Sequence, residues 1–189
     1  ISLCAENGRL LLDQGTEESV PRARGKLDRI SEQVDRARDI IGRISRYARI
    51  EDSDPEPLDP ADVVGTTLSF MRPLLVQHDV GVQVVSPEDS GLRVLAPRVG
   101  LEQVLVNAIQ NAIDSIAARR ERQDPGLTGA IELTVEPVGE GLRISIADNG
   151  EGLALSHPQA AFDAFTTTKD SDRGTGLGLY ISRQIVMEI

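Results

Sequence analysis

The sequence predicts an α+β protein: a helical hairpin followed by a two-layer unit in which helices lie on one face of a mixed sheet. Three observations carry that prediction. Between residues 26 and 50 the apolar residues Leu27, Ile30, Val34, Ala37, Ile41, Ile44 and Ala48 step alternately by three and four, which is a heptad seam. After an acidic, proline-bearing break, the pattern changes to helix, strands, helix, strands, loop and helix. With 40% apolar residues in a chain of 189, there is enough apolar surface for one main core and an appendage.

The elements follow in order. Residues 1 to about 13 read as the end of a helix, with Leu3, Asn7, Leu10 and Leu11 on one side and Gly15-Thr16 as its stop. A second helix follows Pro21 and carries the seam to about Ile50, with Arg29, Glu32, Asp35, Arg36, Arg38, Asp39, Arg43 and Arg46 as a solvated outer face. Two helices joined by a short loop bury a heptad stripe poorly. A four-helix bundle built from two chains is therefore expected, that is, a homodimer; the alternative is packing of the seam on the chain's own second domain. Residues 51–60, with Pro55, Pro57 and Pro60 among acids, stop the helix. This divides the chain into a helical hairpin at 1–52, a linker at 53–60 and a second domain at 61–189. Asp59-Pro60 has the form of an N-cap followed by a first-turn proline, opening a helix from Ala61 to about Gln77. Strands are expected at Val80–Val85 and Leu92–Leu95, a long helix from Pro97 to about Arg122, and a hairpin of Ile131–Pro137 and Leu142–Asp148 around Gly139-Glu140-Gly141.

Charge narrows the class of function. A net charge of −10 argues against nucleic acid or an anionic membrane as the main partner, so any bound phosphate must be held by a local device. Cys4 is the only cysteine and has no internal disulfide partner. No apolar run reaches the roughly 20 residues of a membrane span. Because the chain opens at Ile1 in what reads as mid-helix, it is expected to be a piece of a longer protein, with any membrane anchor upstream.

Two glycine-bearing turns supply a candidate device. Gly174-Thr175-Gly176-Leu177-Gly178-Leu179 runs into an apolar helix, where backbone N–H groups free of Cβ bulk can meet an anion at the helix N-terminus. Taken alone, such a turn fits an ordinary helix start as well as a phosphate cradle. A second turn, Asp148-Asn149-Gly150-Glu151-Gly152, closes a strand, and its residues also suit an ordinary turn. On the long helix Asn107, Asn111 and Asp114 recur at spacings of four and three, on one face amid apolar neighbours. One such asparagine is usually structural; two a turn apart suit a shared ligand such as hydrated Mg²⁺, which prefers oxygen donors.

Residues Glu102–Ile116, Asp148–Gly152, Phe162–Lys169 and Gly174–Leu179 resemble, in order and spacing, the N, G1, F and G2 boxes of sensor histidine kinases, particularly the nitrogen-regulation and dicarboxylate-transport sensors. The resemblance implies a two-layer sandwich of the histidine-kinase/gyrase ATPase (Bergerat) type behind a dimerising hairpin, with ATP and Mg²⁺ as ligands. It implies that Asn111 coordinates Mg²⁺, that Asn107 and Asp114 lie near the nucleotide, and that Asp148 accepts from the adenine amino group. Gly150, Gly152 and Leu153 would pass beneath the base. Gly174, Thr175, Gly176, Leu177, Gly178 and Leu179 would shape the phosphate cradle, and Lys169 would meet the terminal phosphates. Leu153–Arg173 would form a lid positioned by packing of Phe162 and Phe165. The partners implied are a second copy and a response-regulator receiver domain, and the location is the cytoplasmic part of a bacterial sensor.

Two features sharpen the reaction. Relatives of the gyrase and mismatch-repair type carry a glutamate one turn before the metal asparagine to activate water; here Asn107 stands there, and an amide is no general base. Phosphoryl transfer to a side chain thus fits better than hydrolysis, with Asn107 and Lys169 as the catalytic pair and an ATP-gated switch of the gyrase type as the alternative. The phospho-accepting histidine of the family is absent: His78 and His157 lack its motif, so the acceptor is expected upstream of Ile1. The last helix is likewise expected to continue beyond Ile189.

Overall fold

The computed structural model describes residues 2–16, 18–51, 53–86, 91–139, 141–153, 157–167 and 175–189. They divide into two compact units, residues 1–46 and residues 47–168 with 176–189, with Thr175 grouped with the first.

The first unit is helical. Helix α1 spans Ser2–Gln14 and ends where Gly15 takes a left-handed φ of 63°, which costs glycine nothing. Helix α2 spans Ser19–Glu51 and begins earlier than Pro21 suggests. Thr16 and Ser19 cap reciprocally, Thr16 N donating to Ser19 Oγ at 3.1 Å and Ser19 N to Thr16 Oγ1 at 3.2 Å. Pro21 then falls in the first turn, where its missing N–H removes no helical bond. Gly8 is buried where α1 meets α2, and a Cβ there would make an ordinary contact with Lys26 Cβ at 3.5 Å. Leu3, Leu10, Leu27, Val34 and Ile41 are all exposed in the single chain. The side chains at 36, 39, 40 and 43–51 lie outside the described set, and with them Ile44 and Ala48 of the seam.

The second unit holds the two layers. Strand β1 (Glu56–Leu58) pairs antiparallel with β3 (Val94–Ala96), Glu56 opposite Ala96. This alters the expected linker: three residues of 53–60 form a strand, and Leu58 is fully buried in the core. The strand expected at Leu92–Leu95 is shifted to Val94–Ala96 because it pairs with β1 and not with the main sheet. That sheet has the order β2-β4-β5, with β2 (Val80–Val85) parallel to β4 (Gly129–Val138), and β4 antiparallel to β5 (Gly141–Asp148).

Helices α3 (Pro60–Gln77) and α4 (Arg98–Arg122) cover one face of the sheet. Asp59 caps α3 through Oδ1, accepting from Ala61 N at 3.0 Å. Alternate residues of β4, Ile131, Leu133 and Val135, are buried beneath the helices, while Glu132 is exposed on the other side, the period-two pattern of a sheet with one wet face. Two apolar clusters run along this interface. One gathers Leu58, Val63, Val64, Leu101, Leu105 and Leu133; the other gathers Met71, Leu75, Ile109, Ile113, Ile116 and Ile131. Arg98, at the start of α4, bonds Asp62 at 3.0 Å and lies near Glu56 and Glu102, so the guanidinium titrates above its usual range, first through the Asp62 bond. A short 3₁₀ turn (Pro158–Phe162) precedes helix α5 (Gly178–Glu188).

Candidate nucleotide-binding site

Helix α4 is the floor of the site, and it holds two separate segments. At Asn107 it holds the start of α5. The side chain is buried; its Nδ2 donates to Gly178 O and to Ser182 Oγ, each at 3.1 Å, and its Oδ1 accepts from Gln103 Nε2 at 2.9 Å. Ser182 Oγ in turn donates to Gly178 O at 2.9 Å. Both amide donors of Asn107 are therefore committed to α5, so in this arrangement Asn107 joins helices and offers no N–H to a ligand.

Two turns further along, α4 holds the turn after β5. Glu151 N donates to Ser115 O at 3.2 Å, and Arg119 Nη1 donates to Asn149 O at 2.8 Å. Gly150 lies so close to α4 that a Cβ there would stand 2.5 Å from the carbonyl carbon of Ser115 and would also strike its hydroxyl. The glycine at 150 is thus required by the helix beneath it, whatever lies above. Gly152 is required for a different reason: its φ is 76°, with open space around it. Asp148 Oδ1 accepts from Gly150 N at 2.9 Å, and Oδ2 has no partner among the described residues.

Asn111 stands midway, one turn from Asn107 and one turn from Ser115, and is half-buried. The two ends are eight residues apart on one helix, about 12 Å at 1.5 Å per residue. Asp114 is half-buried and accepts from Gln110 Nε2 at 2.9 Å. Leu153 is exposed, Leu177 is buried and Leu179 is half-buried. Among the described residues, the N-cap of α5, Leu177, makes no side-chain capping hydrogen bond.

Gly176 carries a φ of 65°, and a Cβ there would stand 2.7 Å from Phe165 Cα. Phe165 N donates to Gly176 O at 2.9 Å, and Phe165 itself has a φ of 67°. Phe165 is 70% exposed and Phe162 39%. The exposure of Phe165 does not fit the expectation that these aromatics pack to position a lid over residues 153–173; a backbone bond instead ties Phe165 to Gly176, just before α5. Thr175 Oγ1 is buried with no hydrogen-bond partner. Lys169 and Gly174 lie outside the described residues.

Ser182, Ser115, Arg119 and Asn149 were not singled out from the sequence as site residues. Ser182 reads as one more small residue on an apolar helix, and Arg119 as one of the basic residues that suit a helix C-terminus, with Arg120 and Arg122. Arg120 does serve the fold, donating to Leu127 O, Asp79 O and His78 O.

Comparison with known proteins agrees with this geometry. Residues 96–189 match the model of the histidine kinase-, DNA gyrase B- and HSP90-like ATPases. Over 97% of its length the chain is 32% identical to the C4-dicarboxylate transport sensor protein DctB of Rhizobium meliloti, covering 28% of that protein. Over 98% it is 30% identical to the sensor protein FixL of Bradyrhizobium diazoefficiens, covering 35% of it. The chain thus spans roughly a third or less of the length of these curated relatives. Among solved structures, the catalytic domain of the histidine kinase ThkA superposes with a TM-score of 0.59 at 26% identity, covering 71% of this chain and 81% of that one. Residues 96–189 are therefore a domain of the histidine kinase-, DNA gyrase B- and HSP90-like ATPase family, in a chain whose curated relatives are sensor histidine kinases.

Proposed function

We propose that this chain binds ATP with Mg²⁺ and is the catalytic core of a two-component kinase that passes the γ-phosphoryl group to a histidine outside these 189 residues, for relay to an aspartate of a response-regulator receiver domain. The observation that carries this is the spacing along α4: one glycine turn at each end of a single helix face, and Asn111 between them. Adenine lies against Asp148, whose unengaged Oδ2 accepts from the exocyclic amino group; guanine has a carbonyl at that position. The phosphates lie toward the uncapped first turn of α5, with Lys169 as a further cation.

Asn111 offers an amide oxygen, a hard donor that suits Mg²⁺. Among the described residues no cluster of three His, Cys, Asp or Glu side chains is poised to hold a metal, so the ion must share its shell with nucleotide phosphates and water. When bound there, Mg²⁺ neutralises charge on the transferring group. Asn107 is an amide with both donors committed to α5, which leaves no base at 107 to activate water. This favours phosphoryl transfer over the hydrolysing switch of the gyrase type. The exposed seam residues Leu27, Val34 and Ile41 of α2 support a homodimer, and the need for ATP supports a cytoplasmic location. No helix among the described residues is long and apolar enough to cross a membrane.

Calorimetric titration of the chain with ATP, with and without Mg²⁺, tests the reading. Binding that strengthens with Mg²⁺, slow steady-state hydrolysis and no stable phosphoryl label on His78 or His157 are expected. Rapid hydrolysis abolished by Asn107→Ala would favour the gyrase-like alternative.

A further inference from the structure

Asp148 is exposed at the end of β5, and an exposed carboxylate on a loose turn selects poorly between bases. Guanine places N1–H and an exocyclic amino donor beside its carbonyl. A carboxylate displaced along the base edge would accept from these as readily as from the adenine amino group. Discrimination therefore depends on the position of the turn that carries Asp148, and that position is set by residues that make no contact with the base.

The peptide after Asp148 is held from both sides. On the sheet side, Asn149 makes three bonds to the start of β4: its N donates to Ala130 O at 3.2 Å, its Oδ1 accepts from Ala130 N at 2.9 Å, and its Nδ2 donates to Thr128 O at 2.8 Å. On the helix side, Arg119 Nη1 donates to Asn149 O at 2.8 Å. Arg119 Nε is buried and finds no acceptor. An arginine near a helix end can ordinarily solvate its guanidinium; this one leaves an N–H unsatisfied while holding a turn carbonyl. One residue on, Gly150 rests against Ser115 and returns its N–H to Asp148 Oδ1 at 2.9 Å, so a shift of the turn moves the carboxylate with it.

We propose that Arg119, acting through Asn149, is a positioning residue for base selection, fixing the register in which Asp148 accepts from adenine and meets the carbonyl of guanine. This rests on the reading of Asp148 as the adenine acceptor. Arg122, which pairs with Glu151 at 3.1 Å across an exposed surface, makes no bond to the Asp148–Gly150 segment and provides the control.

The experiment measures Mg·ATP and Mg·GTP affinity by calorimetry on the 189-residue chain and five variants. Asp148→Asn is expected to abolish the preference for ATP. Arg119→Ala is expected to lower the ATP-to-GTP affinity ratio by roughly tenfold, the value of one charge-assisted hydrogen bond. Arg119→Lys, which keeps a charged donor, should restore most of the ratio, and Arg122→Ala should leave it unchanged. Should Arg119→Ala fail to fold, the ratio is read on Arg119→Met, which keeps the buried stem and removes the donor. Equal loss of affinity for both nucleotides, an unchanged ratio, or failure of both variants to fold overturns the proposal, because each is what a purely structural arginine would give. An unchanged ratio in Asp148→Asn instead overturns the assignment of Asp148, so the two failures are distinct.

Discussion

Asn107 Nδ2 and Ser182 Oγ meet at 3.1 Å, joining two helices whose residues lie 75 positions apart in the chain. The bond is buried, and the same amide holds Gly178 O. Asn107→Ala removes both donors and leaves a small cavity; a loss of about 2–3 kcal/mol in unfolding free energy is expected from urea denaturation. Ser182→Ala should cost about 1 kcal/mol. In the double variant the two losses should be less than additive, since they share one bond. Full additivity would show that the pair is not coupled.

Gly150 and Gly152 should respond differently to the same substitution. Gly150→Ala drives a Cβ into the backbone of Ser115, so the turn must leave α4, and ATP affinity is expected to fall at least tenfold while the sheet stays folded. Gly152→Ala meets no atom within 4 Å and pays only for its left-handed backbone, about 1–2 kcal/mol of stability. Affinity and thermal unfolding measured on both variants separate clash from strain. Equal effects on ATP affinity would contradict the close approach of Gly150 to the helix.

Asn111→Ala is expected to erase the Mg²⁺ dependence of ATP binding, leaving the weaker metal-free affinity and a stability within about 1 kcal/mol of the parent, since the residue is only half-buried. A Mg²⁺ dependence that survives would move the metal away from α4.

The exposed seam predicts association. Sedimentation equilibrium should give a dimer at micromolar concentration, and Leu27→Glu with Val34→Glu should shift it to monomer without unfolding the second unit, because both side chains are already exposed in the single chain. A wild-type chain that stays monomeric would leave the seam without the partner proposed for it.

Where the signal is local, the sequence was a good guide. Asp59-Pro60 reads as a helix start because an N-cap oxygen and a first-turn proline act within three residues, and α3 begins there. The same holds for β2 and for the hairpin of β4 and β5, whose alternation sets the buried face. Pro21 misled for an equally local reason: the reciprocal cap of Thr16 and Ser19 precedes it, and a first-turn proline does not delay a helix. Within the site, Asn107, Asn111, Asp148 and the glycines were visible as types at spacings. Their partners were not, because Ser182 and Arg119 carry no pattern of their own.

From the sequence alone come the period of each element, the positions of the glycine turns and the order of boxes that marks the family, since each depends on residues within a turn or two of one another. The tertiary structure decided the rest. It paired Glu56–Leu58 with a strand nearly forty residues on, committed the Asn107 amide to Ser182, and set Gly150 against α4, where its missing Cβ leaves room for the helix. Those contacts join segments far apart in the chain, and a side chain's hydrogen-bond partners are settled only when packing has removed water from around it.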